Sequence, residues 1–268
     1  MGCGVPCELI DDLAAEFNSL QTLITSGTDL RQPTPAAGWD IGASVSHLIG
    51  CDLLAEKAIA TPGAFQCALP AADDGLTELL AGHIAARQDL RVEQLRQEWT
   101  DAFTALLRAF QSAHQHQKVP WFGPPMSPAT LATARLMEYW AHGQDVAEAL
   151  KVVRQHTDRI RHVCHLGFAT FEFSFANRGL PVPPSPPRVE LRLPSGRPWV
   201  RGPEDAHAVV TGDALDFALA VTQRRHWLDT SLTYQGEVAE QWLAIAQCFA
   251  GPPGPGRAPS EVPSARGQ

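Results

Sequence analysis

The sequence predicts a helical bundle over residues 1–153, a smaller α+β domain over residues 154–250, and a disordered Pro/Gly-rich tail over residues 251–268. Three observations predict this. Four long stretches of the first region repeat apolar residues at helical spacing, with connections suited to a bundle. The second region changes to short alternating runs between turn residues, the mark of a mixed α+β domain. From Gly251 onward Pro, Gly, Ser and Arg dominate, which leaves little to bury.

The elements follow in order. Leu9, Leu13, Phe17, Leu20 and Ile24 share one face of a helix over residues 8–26. Pro33, Pro35 and Gly38 make residues 27–38 a loop. Asp40 is placed to cap a second helix that runs to Ala60 and ends at Thr61-Pro62-Gly63. A short helix over 75–86 and a long amphipathic one over 89–116 come next. Residues 118–127, with Pro120, Pro124 and Pro125, read as a stiff loop. Ser127 and Pro128 then supply the N-cap and first-turn preferences of a helix reaching Val152. In the second region a helix over 157–177 precedes a Pro-rich break over 179–187. Strands are expected at 188–193, 198–201, 207–210 and 232–234, and helices at 213–225 and 237–249.

Composition narrows the function. The 268 residues are 44% hydrophobic and 19% charged, which is ordinary for a globular protein. A net charge of −8 argues against nucleic-acid or anionic-membrane partners, which call for a basic face. No apolar run reaches the roughly 18 residues of a membrane span. The N-terminus has neither the charged and apolar regions of a signal peptide nor, with Pro6, a myristoylation pattern, so a cytoplasmic location is expected. Cys3, Cys7, Cys51, Cys67, Cys164 and Cys248 are scattered and read as free thiols. The C-x3-C spacing of Cys3 and Cys7 lacks the second pair that a structural metal site would use.

The chemistry concentrates in Arg135 to Asp145. Glu138 and His142, four apart on a helix, can both reach one metal ion. A solvated face offers a second reading, because Arg135–Glu138 and His142–Asp145 are complementary pairs three apart. Leu131 and Ala149 close the stripe at either end, which favours a bundle interior. His47 is the natural third ligand, on a face with Ala43, Ser44, Cys51, Leu54 and Ala58. It can equally be a satisfied core histidine, and Cys51 a packing residue. Two histidines and a carboxylate form a catalytic set with one position open. Zinc suits it, and ferrous iron or nickel can occupy the same donors. His114 and His116 face different ways, and His162 with His165 reads as structural.

Gly38-Trp39-Asp40 leading to Val45-Ser46-His47-Leu48, with Met137-Glu138-x-Trp140-x-His142-Gly143-x-Asp145, resembles the mycothiol-dependent maleylpyruvate isomerase family. That family lies within the DinB-like superfamily of metal-binding four-helix bundles. The resemblance implies a DinB-like four-helix bundle followed by a smaller α+β domain, with zinc on His47, Glu138 and His142. It also extends to Gly212–Phe217 and Gln223-Arg224-Arg225, where family members commonly carry Gly-Arg and the arginine is implicated in the active site. Arg224 aligns best with that arginine, with Gln223 replacing the glycine. The stretches 120–127 and 137–145 are similar to an actinobacterial metal-binding subgroup, and the Ala/Pro/Gly-rich, lysine-poor composition agrees with an organism that makes mycothiol. The implied partners are a small thiol, mycothiol, and a small electrophile. The implied reaction is S-transfer or thiol-assisted isomerisation. A zinc hydrolase on the same ligands and a non-catalytic binding protein are the competing readings.

Overall fold

The computed structural model describes residues 4–68 and 75–260, so Cys3 and the last eight residues lie outside the described part. The chain divides into two compact units, residues 1–154 and 155–268.

The first unit is a four-helix bundle. Helix α1 (Cys7–Gln21) buries Leu9, Leu13, Phe17 and Leu20, the face that its spacing predicts. Helix α2 (Ile41–Ala60) starts at Asp40, whose carboxylate accepts the Ala43 N–H at 2.6 Å. That contact satisfies one of the N–H groups a helix start leaves without an intrahelical partner. Two short helices follow, α3 (Pro62–Ala68) and α4 (Gly75–Ala85), then the long amphipathic α5 (Val92–Ser112).

Residues 118–127 depart from the expected loop. Strands β1 (Val119–Trp121) and β2 (Gly123–Met126) pair antiparallel, with Val119 opposite Met126. Pro124 and Pro125 are tolerated because this two-stranded ribbon asks for few backbone donors and leaves both residues exposed. Helix α6 (Pro128–Ala149) then begins as its cap signals require, with Ser127 Oγ accepting the Thr130 N–H at 3.1 Å.

Helix α2 packs on α5 and α6, and α1 packs on α6. Aromatic rings fill the centre. Phe17 stacks on Phe103 at 4.0 Å and meets the edge of Trp99 at 5.0 Å, and the Trp99 indole N–H donates to Tyr139 Oη at 2.9 Å. A buried tryptophan keeps that partner because an unpaired buried donor is costly.

The second unit places helices on a four-stranded sheet ordered β4-β3-β5-β6. Strands β3 (Arg188–Arg192) and β4 (Pro198–Arg201) form the expected hairpin, β3 runs parallel to β5 (Val209–Asp213), and β6 (Thr233–Gln235) pairs antiparallel with β5. Val189, Leu191 and Val210 face the core. The helix expected over 157–177 is broken into α7 (Arg161–Ala169) and α8 (Phe171–Ala176), after a single 3-10 turn at 158–160. At the break the Thr170 hydroxyl bonds back to the carbonyls of Leu166 and Gly167, the local competition by which threonine interrupts helices. Helices α9 (Ala214–Val221) and α10 (Glu237–Ile245) complete the unit, with Trp242 packed between Phe171 and Phe217.

The Pro/Gly-rich segment beyond Gly251 makes defined contacts over its described part. Asn177 donates to the Gly251 carbonyl, Arg178 to the Gly254 carbonyl, and the Ser260 N–H to Asp229. Among the described residues no helix is long and apolar enough to cross a membrane.

Candidate metal centre

Helix α6 presents Glu138 and His142 one turn apart, and α2 presents His47 to the same point. Glu138 Oε2 lies 3.5 Å from His47 Nε2 and 3.4 Å from His142 Nε2. All three donor atoms fall within 4.8 Å of one another. Two ligands of a tetrahedral zinc ion with bonds near 2.0–2.1 Å stand about 3.4 Å apart, so the carboxylate-to-imidazole separations suit such an ion.

The electrostatics point the same way. Burial alone would lower the His47 imidazole, but Cys51, with Sγ at 3.6 Å, and Glu138 outweigh it and push its pKa up to about 10. Burial would raise Glu138, yet hydrogen bonding from His142 and His47 holds it well below the usual carboxylate range. The imidazoles and the carboxylate thus favour each other's charged forms, and a divalent cation among these donors would take the place of the imidazole protons. Side-chain exposures of 12% for His47, 21% for Glu138 and 8% for His142 leave the approach to the carboxylate open.

The solvated-face reading of α6 does not hold. Arg135 is 2% exposed and Asp145 1%, whereas Glu148 on another face is exposed. Arg135 also takes a different partner from the expected Glu138: it pairs with Asp52 on α2 at 3.0 Å. Asp145 stands 3.9 Å from His142 Nδ1, beyond direct hydrogen-bond reach.

Trp39 enters the sequence reading only as part of the Gly38-Trp39-Asp40 motif, with no role at the site assigned to it there. Its ring stacks on His142 at 5.4 Å and meets His47 edge-on at 5.2 Å, so it walls both imidazoles. Gly38, in the left-handed region at φ 80°, turns the chain just before it, and Thr34 N–H closes the loop on the Trp39 carbonyl at 2.8 Å. The signal was its place directly before the Asp40 cap.

Gly143, next to His142, has a steric reason. A Cβ there would lie 3.1–3.3 Å from the guanidinium of Arg154. Arg154 cannot easily yield, since it donates to the Trp140 carbonyl at 2.9 Å and to Glu16 at 2.7 Å. Helix propensity alone would make Gly143→Ala stabilising by about 1 kcal/mol; an overpacking cost of about 1–3 kcal/mol should reverse the sign, giving a net loss of up to about 2 kcal/mol. The urea midpoint of the variant checks this, and a gain in stability would show that Arg154 can move.

In the second unit, Gln223 takes the left-handed conformation at φ 58° just past the Thr222 cap of α9, the position at which the family resemblance implies a glycine. The following amide, Arg224 N–H, bonds back to the Leu219 carbonyl at 2.8 Å, as at a glycine-terminated helix. Arg224 is half-buried and donates to the Thr222 carbonyl at 2.9 Å. Arg225 is exposed and pairs with Asp216 at 3.4 Å.

Fold and site define a two-unit protein whose helical bundle gathers two histidines and a carboxylate at one point. The chain belongs to the mycothiol maleylpyruvate isomerase N-terminal domain family, whose family model matches residues 10–147. Its relatives include an uncharacterised protein of Mycobacterium tuberculosis, found in strain CDC 1551 / Oshkosh and in strain ATCC 25618 / H37Rv. Each is 42% identical over 262 residues, covering 94% of this chain and 99% of the relative. Crystal structures of the mycothiol-dependent maleylpyruvate isomerase and of a histidine-to-alanine mutant of it share the fold. Their TM-scores are 0.58 and 0.60, at 15% and 14% identity, and each match covers 85% of this chain and 91% of the solved one.

Proposed function

We propose that this chain is a metal-dependent enzyme that activates mycothiol, or a related small thiol, for reaction with a small electrophile. The observation that supports it is the convergence of His47, Glu138 and His142 from two helices on one point. Family membership and the name of the isomerase that shares the fold point to the same thiol.

His47 and His142 would hold the ion through Nε2 and Glu138 through its carboxylate, with zinc the expected metal and nickel or ferrous iron able to use the same donors. When bound, the ion supplies positive charge and an open coordination position that favour a thiolate at neutral pH. Glu138 offsets part of that charge, and Trp39 shields the imidazole faces from water. Arg224 is proposed to hold a substrate carboxylate, for which a guanidinium fork is matched. In an isomerisation the thiolate adds to one carbon of a conjugated alkene, the former double bond rotates, and the thiolate leaves, so no oxidant is required. In a transfer the new C–S bond is kept and a leaving group departs.

The test is mass spectrometry and chromatography of zinc-loaded protein incubated with mycothiol and maleylpyruvate or another conjugated electrophile. An isomer of unchanged mass identifies an isomerase, and a thiol adduct a transferase. Turnover that needs no thiol would reject the proposal in favour of a hydrolase. Arg224→Ala is expected to lower turnover at least about tenfold while metal content stays intact, as for loss of a charge-assisted contact of roughly 1.5–3 kcal/mol. A loss from Arg225→Ala with none from Arg224→Ala would reassign the role.

A further inference from the structure

Beside the three donors lies a second polar cluster, and its location is unusual for a bundle core. Asp52, Tyr139 and Trp99 are fully buried, and Arg135 is 2% exposed. Arg135 Nε and Nη2 both reach Asp52 Oδ1 at 3.0 Å. The Tyr139 hydroxyl donates to Asp52 Oδ2, and the Trp99 indole donates to the Tyr139 oxygen at 2.9 Å. Arg135 Nη2 also donates to the Leu48 carbonyl at 3.3 Å. The chain of contacts thus runs through α2, α5 and α6.

Stability alone does not account for such a cluster. A buried ion pair loses its hydration, and well-packed apolar residues of similar volume commonly serve the fold as well or better. What the cluster offers instead is a fixed register, because its contacts are directional while apolar packing is not. Its attachment points are telling. Leu48 directly follows His47, and Tyr139 directly follows Glu138. The cluster therefore ties α2 to α6 at the turns that present the donors, and a slide of one helix along the other would stretch its hydrogen bonds as it moved the ligands apart.

We propose that Asp52, Arg135 and Tyr139 are positioning residues that hold His47 at ligating distance from Glu138 and His142. This rests on the metal-site reading above. The cluster's hydrogen bonds run among its own side chains and to the Leu48 carbonyl, so they act on the ligands through backbone register. Groups that hydrogen-bond metal ligands directly commonly alter metal affinity by about 10–100-fold, and a loss of register between the helices that carry the ligands is expected to act on the same scale.

Two variants test it. Asp52→Leu/Arg135→Met replaces the ion pair with apolar side chains of similar bulk, and Tyr139→Phe removes one hydroxyl and keeps the ring. Leu13→Ala, a core truncation on α1, serves as a control for general destabilisation. Zn2+ affinity is measured by competition with a chromophoric chelator, Co2+ loading by its visible spectrum, and the metal-free fold by denaturant unfolding. The expected result is Zn2+ affinity weakened about 10–100-fold in the double variant and about tenfold in Tyr139→Phe, with an altered Co2+ spectrum in both. Leu13→Ala should keep the wild-type affinity and spectrum. Wild-type affinity and spectrum in Tyr139→Phe, or an equal shift in Leu13→Ala, would overturn the proposal, even if the double variant failed to fold. Absence of Zn2+ binding by the wild type would instead reject the metal-site reading beneath it.

Discussion

Replacing His47 or Glu138 with alanine is expected to reduce bound divalent metal from about one equivalent to less than about a tenth after dialysis, because a three-ligand site cannot spare a ligand. Each substitution leaves two protein donors. His47→Ala removes the only one that α2 contributes, and Glu138→Ala removes the only anionic one. The loss should exceed the roughly 10–100-fold that an outer contact costs. Elemental analysis reads it directly. Thermal unfolding offers a second check, since a ligand at about 1,000 times its Kd stabilises the native state by about 4 kcal/mol. Added Zn2+ should raise the wild-type melting temperature and leave both variants unmoved. Metal content that survives both substitutions would place the ion elsewhere.

Mycothiol should bind the metal-loaded protein far more tightly than glutathione. Both thiols offer a metal the same sulfur, so discrimination has to come from groups that read the rest of the molecule. A site built to hydrogen-bond sugar hydroxyls leaves its own polar groups unpaired when a peptide thiol enters, at about 1–3 kcal/mol for each lost partner. Two such losses already amount to about 30-fold or more in Kd. Calorimetric titration with each thiol, repeated on His142→Ala, measures the difference and its dependence on the metal. Equal affinities, or mycothiol binding that ignores the loss of His142, would reject the thiol reading.

The fold was legible where local chemistry decides it. Asp40 and the Ser127-Pro128 pair announce their helices because a cap is a contact among neighbours in sequence. The β1–β2 ribbon was illegible because its prolines describe equally well a loop and a ribbon with few backbone donors. Glu138 and His142 could be read from their spacing. That spacing could not exclude the pairing of Arg135 with Glu138, since Asp52, its actual partner, lies 83 residues away. The role of Trp39 beside the imidazoles was illegible for a related reason. Its contact with the imidazoles depends on the left-handed turn at Gly38 and on the meeting of α2 with α6, and neither is a property of residues 38–40 alone.

Gln223 bears on how a helix terminus can change its chemistry without changing its shape. A side chain held at positive φ carries a backbone penalty of about 1–2 kcal/mol that glycine escapes. Here the residue compensates with what glycine lacks: its amide donates to the Ala246 carbonyl at 3.1 Å, just beyond α10. Such a bond contributes about 0.5–1.5 kcal/mol, close to the penalty. The two choices are therefore nearly isoenergetic and differ in what they connect. A glycine leaves the end of α9 joined to the C-terminal segment through backbone alone, the Cys248 N–H donating to the Val221 carbonyl at 3.0 Å. The glutamine adds a side-chain link to that backbone one, so the turn that sets Arg224 and the chain beyond α10 are more tightly exposed to the same fluctuations and the same substitutions.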